Sequence, residues 1–182
     1  RFIFTLGEGS NNSQWEKNKI GNLFDIKAGG DIDKQSFSTV KTEKYKYPVY
    51  SNSLENDGLY GYSDKYKINE GTITITGRGN VGVAVARDIK YYPIIRLLSL
   101  SPKNKNYNHK FFAYTLNKIN FYIESTGVPQ LTSPQVSKYS IYVPSVDEQN
   151  KISNFISLID KKIELLTKKY ELLVKNKKGI MQ

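Results

Sequence analysis

Up to about residue 145 the apolar positions form short runs, rich in Val, Ile, Thr and Tyr, separated by turn formers. Pro48-Val49-Tyr50, Thr72 to Thr76, Val81 to Ala86, Ile94 to Leu100 and Ile141-Tyr142-Val143 read as strands, with Asp57-Gly58 and Asn69-Glu70-Gly71 as turns. Between Asn108 and Glu124, Phe112, Leu116, Ile119 and Ile123 recur at steps of 4, 3 and 4, which predicts one helix capped by Asn108. After Pro144 the rhythm changes. Ile152, Ile156, Ile159, Ile163, Leu166, Tyr170 and Leu173 follow at 4-3-4-3-4-3, an a/d heptad seam widened by Leu158, Leu165 and Leu172. Ser145 with Glu148 gives a capping-box start, and Gly179 marks the end. The fold class expected is α+β, a β-rich domain followed by a long C-terminal coiled-coil-type helix.

A helix from Asp147 to Lys178 would be about 48 Å long at ~1.5 Å per residue, too long to bury its seam on a domain of this size. No other stretch matches it in length, so those seven seam residues are the expected helix-pairing set. Their partner would be a second repeat or a second copy.

Composition narrows the chemistry. The 182 residues hold 27 Lys+Arg against 17 Asp+Glu, a formal charge of +10, with one His and no Cys. Eight Lys and five acids sit on the predicted helix, leaving +7 on the preceding part. The excess favours an anionic partner, of which nucleic acid is the commonest. Absence of Cys excludes disulfides, thiolate metal sites and cysteine nucleophiles, and the lone His109 sits beside a helix cap. No apolar run is long enough for a membrane helix, so a soluble cytoplasmic location with no membrane partner is expected. The chain begins at Arg1 and stops on Met181-Gln182, as a piece of a longer polypeptide would.

Gly77-Arg78-Gly79-Asn80-Val81-Gly82 is a literal G-x-G-x-x-G after a predicted strand. A dinucleotide site would need a helix to open there and an acid about 20 residues on. The following run is β-branched, and no Asp or Glu occurs between Asp88 and Glu124. The better reading is a hairpin displaying Arg78 and Asn80, residue types suited to guanine and adenine edges. Ser51-Asn52-Ser53 and the acid-free Ser125 to Gln135 form two further polar loops. Tyr45-Lys46-Tyr47 and Tyr60-Gly61-Tyr62 read as core and rim tyrosines of a β-rich domain, ahead of a base-stacking role. There is no Glu-x-Lys pair, no Asn/Asp-Pro-Pro-Tyr/Phe motif, no serine elbow, P-loop or paired-His site, so no catalytic centre, metal or cofactor is expected.

Five stretches together resemble the specificity (S) subunits of type I restriction-modification systems. They are Trp15-Glu16-Lys17 with Ile20-Gly21-Asn22-Leu23; Pro48-Val49-Tyr50-Ser51; Thr76-Gly77-Arg78-Gly79-Asn80-Val81-Gly82; Gly127 to Gln130; and Val143-Pro144 through Glu148-Gln149 to Ile152. The tail from Leu172-Leu173 through Lys177-Lys178-Gly179 to Gln182 is similar to the usual ending of the family's conserved helix. Family members carry two repeats, each a target recognition domain and a conserved helix, and the helices pack antiparallel. The resemblance implies a linker at 1–11, a DNA-binding target recognition domain at 12–145 and a spacer or dimerisation helix at 146–182. It implies a non-catalytic reader of one half of a bipartite double-stranded DNA target, docked to methyltransferase and restriction subunits. The expected DNA contacts are Lys27, Ser51, Asn52, Ser53, Arg78, Asn80, Arg87, Thr126, Gln130, Thr132, Ser133, Gln135 and Lys138. From composition and pattern alone, a protein-interaction adaptor with a β-rich head on a coiled-coil stalk is the alternative.

Overall fold

The computed structural model describes residues 15–122 and 129–180. Ile123, Thr126, Gly127 and the 1–11 segment lie outside them. The described chain opens with β1 (Glu16–Lys19), a single turn α1 (Ile20–Leu23) and β2 (Phe24–Ala28). Short strands follow: β3 (Phe37–Ser38), β4 (Tyr47–Tyr50), β5 (Leu59–Ser63), β6 (Thr72–Ile75), β7 (Ala84–Arg87), β8 (Tyr92–Pro93) and β9 (Leu98–Pro102). Then come α2 (His109–Leu116), α3 (Ser133–Lys138), β10 (Ser140–Val143) and α4 (Val146–Ile180).

The strands make two four-stranded sheets and a ribbon. An antiparallel sheet runs β2-β9-β6-β7, a second runs β3-β5-β4-β8 with β4 parallel to β8, and β1 pairs with β10. In β6 the alternation Thr72-Ile73-Thr74-Ile75 sends the isoleucines to one face, where they join Phe24, Leu98, Leu100, Phe112 and Leu116 in the main core. The threonines face the other way and are buried too. Their hydroxyls are satisfied there: Thr74 Oγ1 accepts from Arg87 Nε at 3.0 Å, and Thr72 Oγ1 bonds the Tyr91 hydroxyl at 3.1 Å. Arg87 also donates to the Asp57 carbonyl at 2.6 Å and stacks over the Tyr50 ring at 3.6 Å. A polar layer therefore joins the two sheets. Burial pushes the Arg87 guanidinium below its ordinary range, against the opposing pull of Tyr50, Tyr91 and Asp57.

Several predicted elements change on folding. The Ile94 to Leu100 run is not one strand, because the backbone turns at Ile95-Arg96 before β9 begins. The run from Val81 contributes only from Ala84 onward. The second helix stops at Leu116, since the Asn117 side chain pairs with β7 instead: its Oδ1 accepts from Ala84 N–H and its Nδ2 donates to Ala84 C=O, both at 2.8 Å. Asn108 does cap it, accepting from Phe111 N–H at 3.0 Å. The polar loop read from Ser125 to Gln135 ends at Thr132, because Ser133 begins α3, anchored by fully buried Val136, and residues 125–128 lie outside the described ones.

Helix α4 spans 35 residues, about 52 Å at ~1.5 Å per residue, and runs through Gly179 instead of ending there. Its capping box is only half formed. Ser145 Oγ accepts from Glu148 N–H at 3.4 Å, but the Glu148 carboxylate turns to the Trp15 indole N–H at 3.1 Å. Gln149, 1% exposed, fastens the helix to the head. It accepts from Asn108 N–H at 3.1 Å and donates to the Pro144 carbonyl at 3.0 Å. Ile152 packs on the main core and Ile156 is half-buried. Beyond them the seam is free, from 43% exposed at Ile159 to 69% at Tyr170.

Two substitutions test this account by urea unfolding. Phe112, fully buried and edge-on to Phe24 at 5.0 Å, should cost about 3–5 kcal/mol on change to Ala. Gln149→Ala removes two bonds and leaves the half-buried Asn108 N–H without its partner, and should cost about 1–3 kcal/mol.

Candidate nucleic-acid interface

Four of the connections that leave the strands converge at one end of the two sheets. They are the Gly29-Gly30 link after β2, the Ser51-Asn52-Ser53 loop after β4, the Gly77 to Gly82 loop after β6, and the turn after β8. The approach to α3, at Gln130-Leu131, joins them. Asn52 is the knot. Its Oδ1 accepts from Gly77 N–H at 2.7 Å, while its Nδ2 donates to the Ile95 carbonyl. Leu131 N–H donates to the Gly77 carbonyl at 2.8 Å, and Ile95 and Arg96 N–H groups donate to Gly30 and Gly29 carbonyls, both at 3.1 Å. Glycine is required at 77, where a Cβ would stand 2.9 Å from the Arg96 carbonyl oxygen and 3.1 Å from that of Leu131.

The Gly-rich loop closes on Thr76. Its hydroxyl donates to the Asn80 carbonyl and accepts from Val83 N–H at 2.9 Å, and its carbonyl accepts from Gly82 N–H at 2.8 Å. β7 follows, paired antiparallel with β6. No helix opens at these glycines, which removes the dinucleotide-cradle geometry. The loop displays Arg78, whose Nε and Nη2 both donate to Gln130 Oε1, at 3.1 and 2.8 Å. An arginine has no acceptor, so this pairing fixes the Gln130 amide and leaves its Nε2 donors and the Arg78 Nη1 donors unused by each other. The Asn80 side chain is exposed.

The other expected contacts divide. Ser51 is buried, its N–H donating to the Gly58 carbonyl at 2.8 Å, and Ser53 is exposed with Oγ accepting from Glu55 N–H at 3.1 Å. Thr132 and Gln135 cap α3: Gln135 Oε1 accepts from Thr132 N–H at 2.8 Å and from its hydroxyl at 2.9 Å. Ser133 is half-buried beside them, whereas Lys138 lies at the far end of α3. Lys27 lines a different cleft with Lys67, Lys105 and His109. Arg87 is the clearest displacement, only 5% exposed and built into the layer between the sheets. Thr126 falls outside the described residues.

His109 lies away from the loops and bonds Asp88 Oδ1 at 2.6 Å, with Lys110 on Asp88 Oδ2 at 2.9 Å. Partial burial alone would raise the Asp88 carboxyl, and the hydrogen bonds from Lys110 and His109 outweigh it and hold it below its ordinary range. Among the described residues, no cluster of His, Cys, Asp and Glu suits a metal ion, and no helix is long and apolar enough to cross a membrane.

Sequence reasoning missed Ile95 and Arg96, both exposed in this cluster. Their segment reads as strand by composition, and no Gly, Asn or Asp announces the turn. Across Ala28 to Gly30, Ser51 to Ser53, Thr76 to Asn80, Ile94 to Leu97 and Pro129 to Thr132, the cluster holds two arginines and no acid.

Residues 12–175 match the family described as Type I restriction modification DNA specificity domain. Two Mycoplasma pneumoniae proteins named as type I specificity subunits are 35% identical over 145 residues and 33% identical over 135 residues. The alignments cover 78% and 74% of this chain but 39% and 40% of those proteins, so the chain spans well under half the length of these curated relatives. The crystal structure of a type I restriction-modification system S subunit from M. genitalium shares the fold. It matches over 88% of this chain and 42% of that chain, with a TM-score of 0.70 at 22% identity. The chain, matched by the family along nearly all of its length, belongs to the type I restriction-modification DNA specificity domains.

Proposed function

We propose that this chain is a non-catalytic, sequence-specific reader of double-stranded DNA that recognises one half of a bipartite target. The observation that carries the reading is the acid-free loop cluster, in which Arg78 and Gln130 are locked together over a backbone platform knotted by Asn52. Arg78 keeps its outer guanidinium edge free to bridge guanine O6/N7 in the major groove, and Gln130, its oxygen taken by Arg78, keeps its Nε2 donors for base-edge acceptors. Held by each other, they reach the duplex with little rotamer freedom left to lose. Asn80, Thr132 and Ser133 flank them. Lys27 and Lys138, remote from the cluster, are assigned to phosphates, and Ser51, Asn52 and Gln135 to holding the loops. Arg87 acts through the fold and is not offered as a DNA contact.

The domain limits proposed are a linker at 1–11, the reading head at 12–145 and a spacer helix at 146–182. The exposed seam from Ile159 to Leu173 meets the matching helix of a second repeat or second copy, which sets the distance between half-sites. Methyltransferase subunits docked to this assembly supply the adenine chemistry, restriction subunits supply cleavage, and the complex works in the cytoplasm.

Arg78→Ala should weaken specific binding by about 1–3 kcal/mol and relax one position of the target, measured by competition between duplexes in the assembled methyltransferase. Binding of the assembly should also fall steeply as salt rises from 50 to 200 mM. An affinity independent of salt would favour the adaptor reading. In the helix, Ile163→Asp with Leu166→Asp places charges at two solvent-exposed seam positions. The head's melting temperature should stay unchanged while methylation of the bipartite target is lost, read by mapping modified adenines.

A further inference from the structure

Ile95 and Arg96 hold φ values of 52° and 62°, two consecutive left-handed residues, and Leu97 N–H donates to the Ile94 carbonyl at 3.0 Å. This is the pattern of a type I′ turn, whose central positions favour Asn and Gly. The chain meets that preference elsewhere, at Asn56, Asp57 and Gly58, with φ of 49°, 53° and 83°. At 95 it does the opposite. A β-branched residue in the left-handed region is a true outlier, because its branched Cβ crowds the backbone.

The surroundings hold the turn in place. Its two central N–H groups are bound by Gly30 and Gly29, its Ile95 carbonyl by Asn52 Nδ2, and Leu97 returns a carbonyl to Gly29 N–H at 2.7 Å. Those bonds are all made by backbone or by Asn52, so they would hold an asparagine at 95 equally well. The Ile95 side chain itself is 46% exposed. Among the described residues Arg96 has no carboxylate partner. A strained isoleucine that adds little to the core, on a turn tied through Asn52 to the loop that carries Arg78, points to a ligand with an apolar spot inside a polar edge.

Resting on the DNA-reading proposal above, we propose that Ile95 is a specificity-determining residue that reads a thymine 5-methyl group in the major groove, with Arg96 beside it on the same tip. Thymine's methyl is the apolar group on the major-groove edge. The rigid platform keeps the tip poised before DNA arrives.

The test uses the methyltransferase assembled with the subunit carrying this chain, and a pool of duplexes with a randomised central segment. The unaltered complex should enrich a sequence with thymine at one or more positions. Ile95→Asn should raise the melting temperature by a few degrees, since Asn accepts the left-handed backbone. It should also lose about three- to fivefold of the preference at one thymine, the scale of a single apolar contact, while the other positions persist. Ile95→Val should keep that preference. Replacing the same thymine by uracil, which removes only the methyl, should weaken the unaltered complex by the same factor and leave Ile95→Asn indifferent. Uracil tolerated at every position by the unaltered complex overturns the proposal. So does an Ile95→Asn complex with an unchanged preference or a lowered melting temperature. If the unaltered complex enriches no sequence at all, the DNA-reading proposal has failed, and this one falls with it.

Discussion

The fold depends on burying both faces of β6. Its isoleucines face a conventional apolar core, but Thr72 and Thr74 on the other face are closed off from water as well. A buried hydroxyl is tolerated only with a partner, and the partners come from the second layer: Arg87 and Tyr91, with Tyr50 stacked on the guanidinium. Arg87 carries its charge into this layer with no carboxylate among the described residues within ion-pair distance. It is stabilised by a threonine oxygen, the Asp57 carbonyl and the Tyr50 ring face. Removing any one of these leaves a desolvated donor or an empty slot, so the layer acts as a unit. By fixing β4 against β6 it brings their C-terminal loops side by side, where Asn52 can reach Gly77.

This arrangement separates bracing from display. Asn52, Thr76, Thr132 and Gln135 use their polar atoms on backbone or on one another, while Arg78, Asn80, Ile95 and Arg96 reach outward. The same division recurs in α4. Gln149 and Ser153 are buried against the head, and after Leu158 the apolar seam continues without cover. A helix held by its first turns and free along the rest is a rigid arm. Its direction is set by the Gln149 bonds to Asn108 and Pro144 and, further along, by the Tyr114 hydroxyl on Ser157 and Asp160.

Much of this was legible in the sequence. A β-branched run bounded by turn formers located β6, the heptad located α4, and Asn108 located the start of α2, because each is a local signal with one strong outcome. Legibility failed where tertiary contacts overrode propensity. The Ile94 to Leu100 run has the composition of a strand, yet bonds from the Gly29 and Gly30 backbone and the Asn52 side chain fold it into a turn that its residues disfavour. Pro134 and the Thr132/Gln135 cap announced α3, but the polar composition around them read as loop. Asn52, in a polar loop, and Arg87 both belong to the expected contacts, yet both spend their polar atoms inside the protein. The same donors and acceptors suit backbone equally well, and only the fold decides which partner is nearer.

The charge pattern bears on how such a head divides its work. The +10 of the chain is carried mostly by lysine, yet the loop cluster holds two arginines and no lysine. Lysine is a hydrated point charge on a flexible stem, suited to phosphates, whereas the planar arginine fork suits base edges and bidentate acceptors. Lys27, Lys67 and Lys105 gather around a separate cleft, and Lys138 lies at the far end of α3. Under the DNA-reading proposal, sequence-independent attraction and sequence reading sit on different parts of the surface. Charge lost from the lysines would weaken binding to all duplexes alike. Changes in the cluster would alter which duplex is chosen with little effect on how strongly salt competes.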